Sequence, residues 1–492
     1  MERIISECEP LIRREMDFWN VPGLTVSVVE KGGESCTKSF GFRDVENRLA
    51  VTDETLFGIA SCSKAMTSAI IAMLVGDGLL DYDVPVREYI PDFALMDEEA
   101  SEKTSLRDML CHRTGLGGHD AIWPAPKTFR EFTRAFPRLQ PSAPFRSKAQ
   151  YSNIIFTLPG YIAETVTGKP WASLMSDRLF EPLGMARANC KAKELIASGN
   201  YAHPYQVLDG TLTELAVWDV DEIAPAASVN CTGPDMCRWL AFLAGKGRSA
   251  DGRSLIPEEI FETMITKQID FEDYVKPDPG LFPADGYAMG WQTGEYRGKR
   301  MCRHTGKIEG YSTVQAFLPE DGIGVSIMMN LHSPAVVVQY PILYTIVDRL
   351  LDLPEIDWAH RFRNDRKREA EDYRDCHVDI FHSVFPDAIP DERPSSLLMK
   401  SYEARSYEGD YYNAGYGPLS ISARGDKLYM SYRDMCLPME PYWPGNFLVA
   451  GVKEDILTMS VPLSFVLDET RRSIGVRVRF EPLVDDILFL RI

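Results

Sequence analysis

The segment Ala60–Val75, ASCSKAMTSAIIAMLV, is apolar nearly all round a helical wheel, and a helix of that kind has to lie inside a core rather than on its surface. Gly76 and Gly78 supply its stop. Whatever surrounds such a helix must cover it on every side. The preceding chain offers a helix from Ile4 to Trp19 with apolar residues at helical spacing, and then a β-branched strand at Gly23–Val29 closed by a Lys31-Gly32-Gly33 turn. A second strand is expected over Ser35–Gly41. Asp81 to Leu243 reads as helical pieces and loops, with Pro124, Pro126, Pro137, Pro141 and Pro144 excluding regular structure from one stretch. Strand character returns around Gly286–Arg297, Val314–Leu318 and Gly324–Met329, and Pro334–Leu353 reads as a closing helix. The pattern is α+β, a sheet flanked by helices.

The chain has 492 residues, too many for one compact core. A charged run, RFRNDRKREAEDYRD, begins at Arg361 and suits a linker or a solvated helix. Beyond Pro390 and Pro394, short strands alternate with turn signals in YGPLSISARGDKLYMSYRD, NFLVAGV and SIGVRVRFEP. This predicts a catalytic domain over 1–362, a linker over 363–400 and a small antiparallel β-barrel or sandwich over 401–492.

A formal charge of −19, from 53 Lys plus Arg against 72 Asp plus Glu, repels phosphate backbones and anionic membranes and argues against both as partners. No uncharged apolar run reaches the ~20 residues that span a bilayer. The N-terminal segment MERIISECEPLIRREMDFW has no continuous apolar stretch of the secretory kind. With 10 scattered cysteines and no CxxC pair, free buried thiols and a cytoplasmic location are expected.

The chemistry is concentrated in three places. Ser61-Cys62-Ser63-Lys64 opens the buried helix; residues i and i+3 share a helix face, so the Lys64 amine can approach the Ser61 hydroxyl. The helix start also offers unpaired N–H groups and a positive dipole end, which suit a developing oxyanion and lower the pKa of a desolvated lysine. A hydroxyl needs such a base to become a nucleophile near neutral pH. Ser35-Cys36-Thr37-Lys38 has the same spacing, but in a strand the two side chains point to opposite faces. The second place is Tyr151-Ser152-Asn153, where a phenol could act as base if cations stabilise its phenolate and an amide could hold Lys64 or a substrate. Tyr411-Tyr412-Asn413 repeats that spacing, and a core aromatic at a helix start is the bland alternative for Tyr151. The third is His304-Thr305-Gly306, a basic residue, a small hydroxyl residue and a glycine that lets substrate backbone come close. The following N–H, of Lys307, could be an oxyanion donor beside that of Ser61. His112 and His119 flank a glycine-rich loop without a third ligand of suitable spacing, so neither a metal site nor a cofactor is predicted.

In this order the three elements resemble the family of class C β-lactamases, D-alanyl-D-alanine carboxypeptidases, D-aminopeptidases and related esterases. Leu110-Cys111-His112-Arg113-Thr114-Gly115-Leu116, Glu181-Pro182-Leu183-Gly184-Met185 and Ala288-Met289-Gly290-Trp291 are similar to further segments of that family. The resemblance covers about residues 10–350. It implies a β-lactamase/transpeptidase-like antiparallel sheet with flanking helices and a helical lobe, and the tail resembles a lipocalin-like barrel appended to some members. It further implies acyl transfer from a small-molecule substrate through Ser61, with Lys64 and Tyr151 as a coupled proton acceptor and Asn153, His304, Thr305, Gly306 and Lys307 around the substrate and oxyanion. Class C β-lactamases carry lysine where His304 stands, and a partly protonated imidazole there would give a pH-dependent field on Tyr151. The readings that stay open are hydrolysis, transfer to another acceptor, β-lactamase action proper, and an idle binding or assembly module; a homo-oligomer also stays open.

Overall fold

The structure is a computed structural model that describes residues 2–30, 32–122, 133–208, 210–271, 284–332, 337–364, 406–425, 427–433, 435–443, 446–449, 461–470 and 472–492. The chain divides into two compact units. One comprises Met1–Phe93, Glu102–Gly115 and Pro144–Asp365, the other Ala94–Ser101, Leu116–Ala143 and Arg366–Ile492. The linker expected over 363–400 lies, from 365 onward, outside the described residues, as do Pro124 and Pro126.

In the first unit, helix α1 (Glu2–Trp19) leads into β1 (Gly23–Val29), β2 (Ser35–Asp44) and β3 (Leu49–Ala50). Short strands follow, β4 (Phe57–Gly58), β5 (Tyr205–Leu208), β6 (Thr211–Glu214) and β7 (Asn230–Cys231), and then β8 (Ile269–Asp270), β9 (Ala284–Tyr287), β10 (Gln292–Tyr296), β11 (Lys299–Ile308), β12 (Tyr311–Leu318) and β13 (Ile323–Met329). Nine of them form one sheet in the order β3-β2-β1-β13-β12-β11-β10-β9-β8. The N-terminal strands join the later ones where β13, from late in the chain, pairs antiparallel with β1, Val26 opposite Ile327. The strand character around Gly286–Arg297 resolves into two strands, β9 and β10, split at the Ala288–Trp291 segment.

Both faces of this sheet are covered, so β1, β12 and β13 are buried along their whole length, polar residues such as Thr25, Ser27, Gln315 and Ser326 included. On one face Ile5, Ile12 and Met16 of α1 share a core with Val26, Val314, Ile327 and with Ile342 and Ile346 of the closing helix Gln339–Leu350. The buried helix α2 (Ser63–Gly76) has every residue from Ser63 to Leu74 inside, as its composition requires.

In the second unit, β14 (Gly409–Asn413), β15 (Gly417–Arg424), β16 (Lys427–Tyr432), β17 (Met435–Trp443), β18 (Asn446–Val449), β19 (Val461–Leu467), β20 (Ser473–Val478) and β21 (Ile487–Arg491) run in sequence order around a closed antiparallel barrel. Closure is made by β14 on β21, Tyr411 opposite Arg491. Alternation is clean here: Leu428, Met430 and Tyr432 of β16 point inward between less buried neighbours, the signature of a sheet with one wet face. No helix among the described residues is long and apolar enough to cross a membrane.

Candidate active site

The turn that presents Ser61 is built by neighbours on both sides. β4 pairs with β7, Phe57 opposite Cys231, and the Ile59 N–H continues that contact to the Val229 carbonyl at 2.9 Å. Ala60 then adopts φ 46°, a left-handed conformation that costs a non-glycine residue energy and that the surroundings must enforce. Ala60–Cys62 form a single 3₁₀ turn, and α2 begins at Ser63. Cys62 anchors the turn from below. Its carbonyl accepts a hydrogen bond from Gln315 Nε2 at 2.9 Å, Gln315 Oε1 accepts in turn from Trp239 Nε1 at 2.9 Å, and the Cys62 thiol donates to the His304 carbonyl at 3.4 Å. The nucleophile turn is thereby fastened to β11 and β12.

Gly306 is what lets β11 come this close. A Cβ there would lie 2.0 Å from the Ile59 carbonyl oxygen and 3.1 Å from the Cys62 nitrogen, so any side chain would drive strand and turn apart. Gln292 opposite Arg303 is the last described pair between β10 and β11, and His304–Ile308 continue paired to β12, Lys307 opposite Ser312.

Lys64 is fully buried. Its Nζ donates to Ser61 Oγ at 3.0 Å, to Asn153 Oδ1 at 2.6 Å and to the Ala226 carbonyl at 3.1 Å. Three oxygens thus receive an ammonium that carries three donors. The same nitrogen sits 4.9 Å from the centroid of the Tyr151 ring and 5.5 Å from that of Phe156, within cation–π range. Asn153 is the first residue of the helix Asn153–Thr167, and Tyr151 lies just ahead of it.

His304 is buried with both ring nitrogens committed: Nδ1 lies 2.7 Å from the Thr305 carbonyl and Nε2 lies 2.8 Å from the Tyr287 hydroxyl. A carbonyl only accepts, so the proton belongs on Nδ1, and Nε2 accepts from Tyr287. Burial first, and the Lys64 cation second, push the imidazole down to about 3. The partial charge expected near neutrality is therefore corrected: His304 is neutral there, because its ring is desolvated and faces an ammonium. His112 is driven well below its ordinary value by burial, then by Lys64 and His304. Its ring packs against Tyr151 at a tilt of 40°, centroids 4.3 Å apart, and its Nδ1 accepts the Ser152 N–H at 3.2 Å.

The structure thus brings Ser61, Lys64 and Asn153 into direct contact, places Tyr151 against Lys64 and 6.3 Å from His304 by ring centroids, and sets Gly306 against the Ser61 turn. Thr305 is half-buried and Lys307 exposed on the same strand end. The second Ser-x-x-Lys match lies on β2 and the second Tyr-x-Asn match on β14 of the barrel. Sequence reasoning placed His112 in a segment similar to the family and weighed it as a metal ligand, but missed its packing on Tyr151; among the described residues no group of three or more His, Cys, Asp or Glu could hold a metal ion. It missed Tyr287, Gln315, Trp239 and the Ala226 carbonyl altogether, since nothing in their local sequence marks them.

A family model described as Beta-lactamase matches residues 10–344. Among curated relatives, an unguisins hydrolase of Aspergillus violaceofuscus is 26% identical over 97% of this chain and 88% of its own length. Among solved structures, the octameric penicillin-binding protein homologue from Pyrococcus abyssi superposes with a TM-score of 0.60 at 20% identity, covering 99% of each chain. The D-amino acid amidase from Ochrobactrum anthropi SV3 gives 0.57 at 22% identity, covering 70% of this chain and 98% of the amidase. The fold is that of the β-lactamase and transpeptidase group with an added barrel, and this chain belongs to the beta-lactamase family.

Proposed function

We propose that the protein is a serine hydrolase that cleaves an ester, amide or lactam bond of a small molecule through an acyl-Ser61 intermediate. The observation that carries this reading is the contact of a buried Lys64 Nζ with Ser61 Oγ at 3.0 Å. In this reading Ser61 Oγ attacks the carbonyl carbon while its proton passes to the coupled Lys64 and Tyr151 pair. The N–H groups of Ser61 and Lys307 hold the oxyanion. The proton then goes to the departing alcohol or amine as its bond to carbon breaks, and water releases the acyl group by the same route. Asn153 fixes Lys64, and His304, Thr305 and Gly306 form the wall along which the substrate lies.

A neutral His304 supplies no cation for a substrate carboxylate, which speaks for esters and amides over the penicillin-type substrates of a β-lactamase proper. A reducing, cytoplasmic setting is part of the same proposal, supported by nine free cysteines among the described residues, seven of them buried. The octameric state named for the Pyrococcus abyssi homologue makes homo-oligomerisation worth reading by light scattering.

The test is intact mass after incubation with a panel of activated esters and a penicillin, with added alcohols and amines in a parallel set. A covalent adduct is expected in the wild type and absent in Ser61→Ala. An adduct that persists in the variant would reject Ser61, and the absence of any adduct or turnover would favour an idle binding module. Products joined to the added acceptors would make the protein a transacylase.

A further inference from the structure

We infer that His112 is the positioning residue of Tyr151, holding the backbone on both sides of that phenol; this rests on the acyl-Ser61 reading above, in which Tyr151 shares the proton with Lys64. Tyr151 lies in a stretch with neither helix nor strand, ahead of the helix Asn153–Thr167, so its place has to come from bonds to other segments. The segment Asp108–Arg113 supplies them. Fully buried Asp108 pairs with both Arg113 and Arg146, and the Arg146 N–H donates to the Arg113 carbonyl at 2.8 Å. Nearer the tyrosine His112 takes over. Its carbonyl accepts the Gln150 N–H at 2.6 Å, and its Nδ1 accepts the Ser152 N–H at 3.2 Å. One residue thus grips the chain immediately before and immediately after Tyr151, and its ring packs on the tyrosine ring as well.

Histidine is an unfavourable choice at this position on local grounds. The short helix Leu106–Leu110 ends there with two closing bonds: the His112 N–H donates to the Met109 carbonyl at 3.3 Å and the Arg113 N–H to the Asp108 carbonyl at 2.9 Å. Such an ending needs a left-handed residue, usually glycine, and His112 meets it at φ 60°, where a side chain costs energy. The ring adds a second cost. With Nδ1 accepting, the proton of the neutral imidazole is on Nε2, and Nε2, although buried, meets no acceptor among the described residues. Glycine would relieve the first cost and an apolar ring the second, but neither could accept the Ser152 N–H. Two local costs retained at one buried residue mark a function, not a packing preference.

What Tyr151 gains is a fixed direction. Phe156 at 5.3 Å and Tyr287 at 4.9 Å, by ring centroids, confine the imidazole, and burial together with Lys64 keeps it neutral and Nδ1 an acceptor. The Tyr151 ring has Lys64 Nζ 4.9 Å from its centroid, the same nitrogen that touches Ser61 Oγ. The hydroxyl stands at the far end of that ring, so a small backbone movement at 150–152 is enlarged there. A misplacement of about 1 Å at a reacting group can cost about 10²-fold in rate.

The experiment is a double-mutant cycle of His112→Phe and Tyr151→Phe, read as kcat/KM for 4-nitrophenyl acetate above a Ser61→Ala blank. His112→Phe keeps a ring and loses the acceptor; alone it should cost about 10- to 100-fold. Tyr151→Phe alone should cost about 10²–10⁴-fold. On the Tyr151→Phe background, His112→Phe should cost less than about 3-fold, because no hydroxyl is left to misplace. His112→Asn tolerates positive φ and offers Oδ1 to the Ser152 N–H, so it should return to within about 5-fold of wild type. If His112→Phe does not fold, the cycle is run with His112→Gly, which relieves the turn and removes the acceptor, and the same inequality should hold. Equal losses on the two backgrounds would make His112 a residue of the fold alone and overturn the inference. Full activity in folded His112→Phe, or in Tyr151→Phe, would overturn it too, with the Ser61 adduct still standing. His112→Asn no better than His112→Phe would overturn the assignment to the Nδ1 acceptor. If Ser61 forms no adduct with any ester, both readings fall.

Discussion

Each unit of the molecule buries a histidine between a tyrosine hydroxyl and a backbone carbonyl. In the first unit His304 has Tyr287 at 2.8 Å and the Thr305 carbonyl at 2.7 Å. In the second, His119 has the Tyr416 hydroxyl at 2.6 Å on Nδ1 and the Gln140 carbonyl at 3.0 Å on Nε2. The carbonyl fixes the proton in both, on Nδ1 in His304 and on Nε2 in His119, and burial is the largest cause keeping either ring neutral. The neighbouring charge differs. His304 faces the ammonium of Lys64, while the Glu481 carboxylate beside His119 accepts that residue's own N–H at 2.7 Å. A buried His–Tyr pair is thus a structural joint in both places. What sets the first apart is the buried cation touching a half-buried hydroxyl, and chemistry is to be sought in the cation.

The sharpest way to break the comparison is to remove that cation. Lys64→Met should lower kcat/KM on any accepted donor by about 10²–10⁴-fold, the usual worth of a positioned proton acceptor, with circular dichroism retained. It should also raise the His304 pKa above 3 while leaving it below 6.5, since burial remains when the charge is gone; histidine NMR titration reads this. A His304 pKa that does not move would show that Lys64 has no electrostatic hold on the ring.

Next in size is Gly306→Ala. The added methyl would overlap the Ile59 carbonyl, and overpacking of this kind costs about 1–3 kcal/mol. The loss should appear in urea unfolding, together with reduced kcat, because the strand and the Ser61 turn move apart. Retained stability and activity would mean that β11 and the turn yield to each other easily.

These sites differ in how plainly the sequence displays them. Ser61 and Lys64 are three residues apart on an element whose burial is written in its composition, so their contact and the burial of Lys64 were both accessible. The central strands were legible as apolar β-branched runs, but their order was not: β1 pairs with β13 across most of the chain, and only tertiary packing decides that. The barrel showed itself through alternation, as in β16. Tyr287 and Gln315 are ordinary strand residues whose importance comes from partners on other strands. The charge state of His304 depends on desolvation and on Lys64, neither of which a local motif encodes, and for that reason the expectation of partial charge failed.

The smallest effect tests whether the two histidine joints share one physics. A histidine held neutral in the fold, with an unfolded value near 6.5, adds stability that is complete above that pH. The unfolded chain takes up a proton first as the pH falls, so each unit below ~6.5 removes about 1.4 kcal/mol per such group until the folded value is reached. For His304 that window runs from about 6.5 down to about 3, and His112 shifts in the same direction. For His119 the shift is also downward, but Glu481 opposes it where Lys64 reinforces that of His304, so its window should close at higher pH. Amide hydrogen exchange, corrected for intrinsic rates and read by mass spectrometry, separates α2 and β11 peptides from barrel peptides. In His304→Gln the α2 and β11 peptides should lose roughly one proton's worth of pH dependence between pH 6.5 and 5, about 1.4 kcal/mol per unit, while barrel peptides keep theirs. In His119→Gln the pattern should reverse. An unchanged slope in the His304 variant would mean that the ring already carries a proton in the folded protein, and the first unit would then hold a second buried cation beside Lys64.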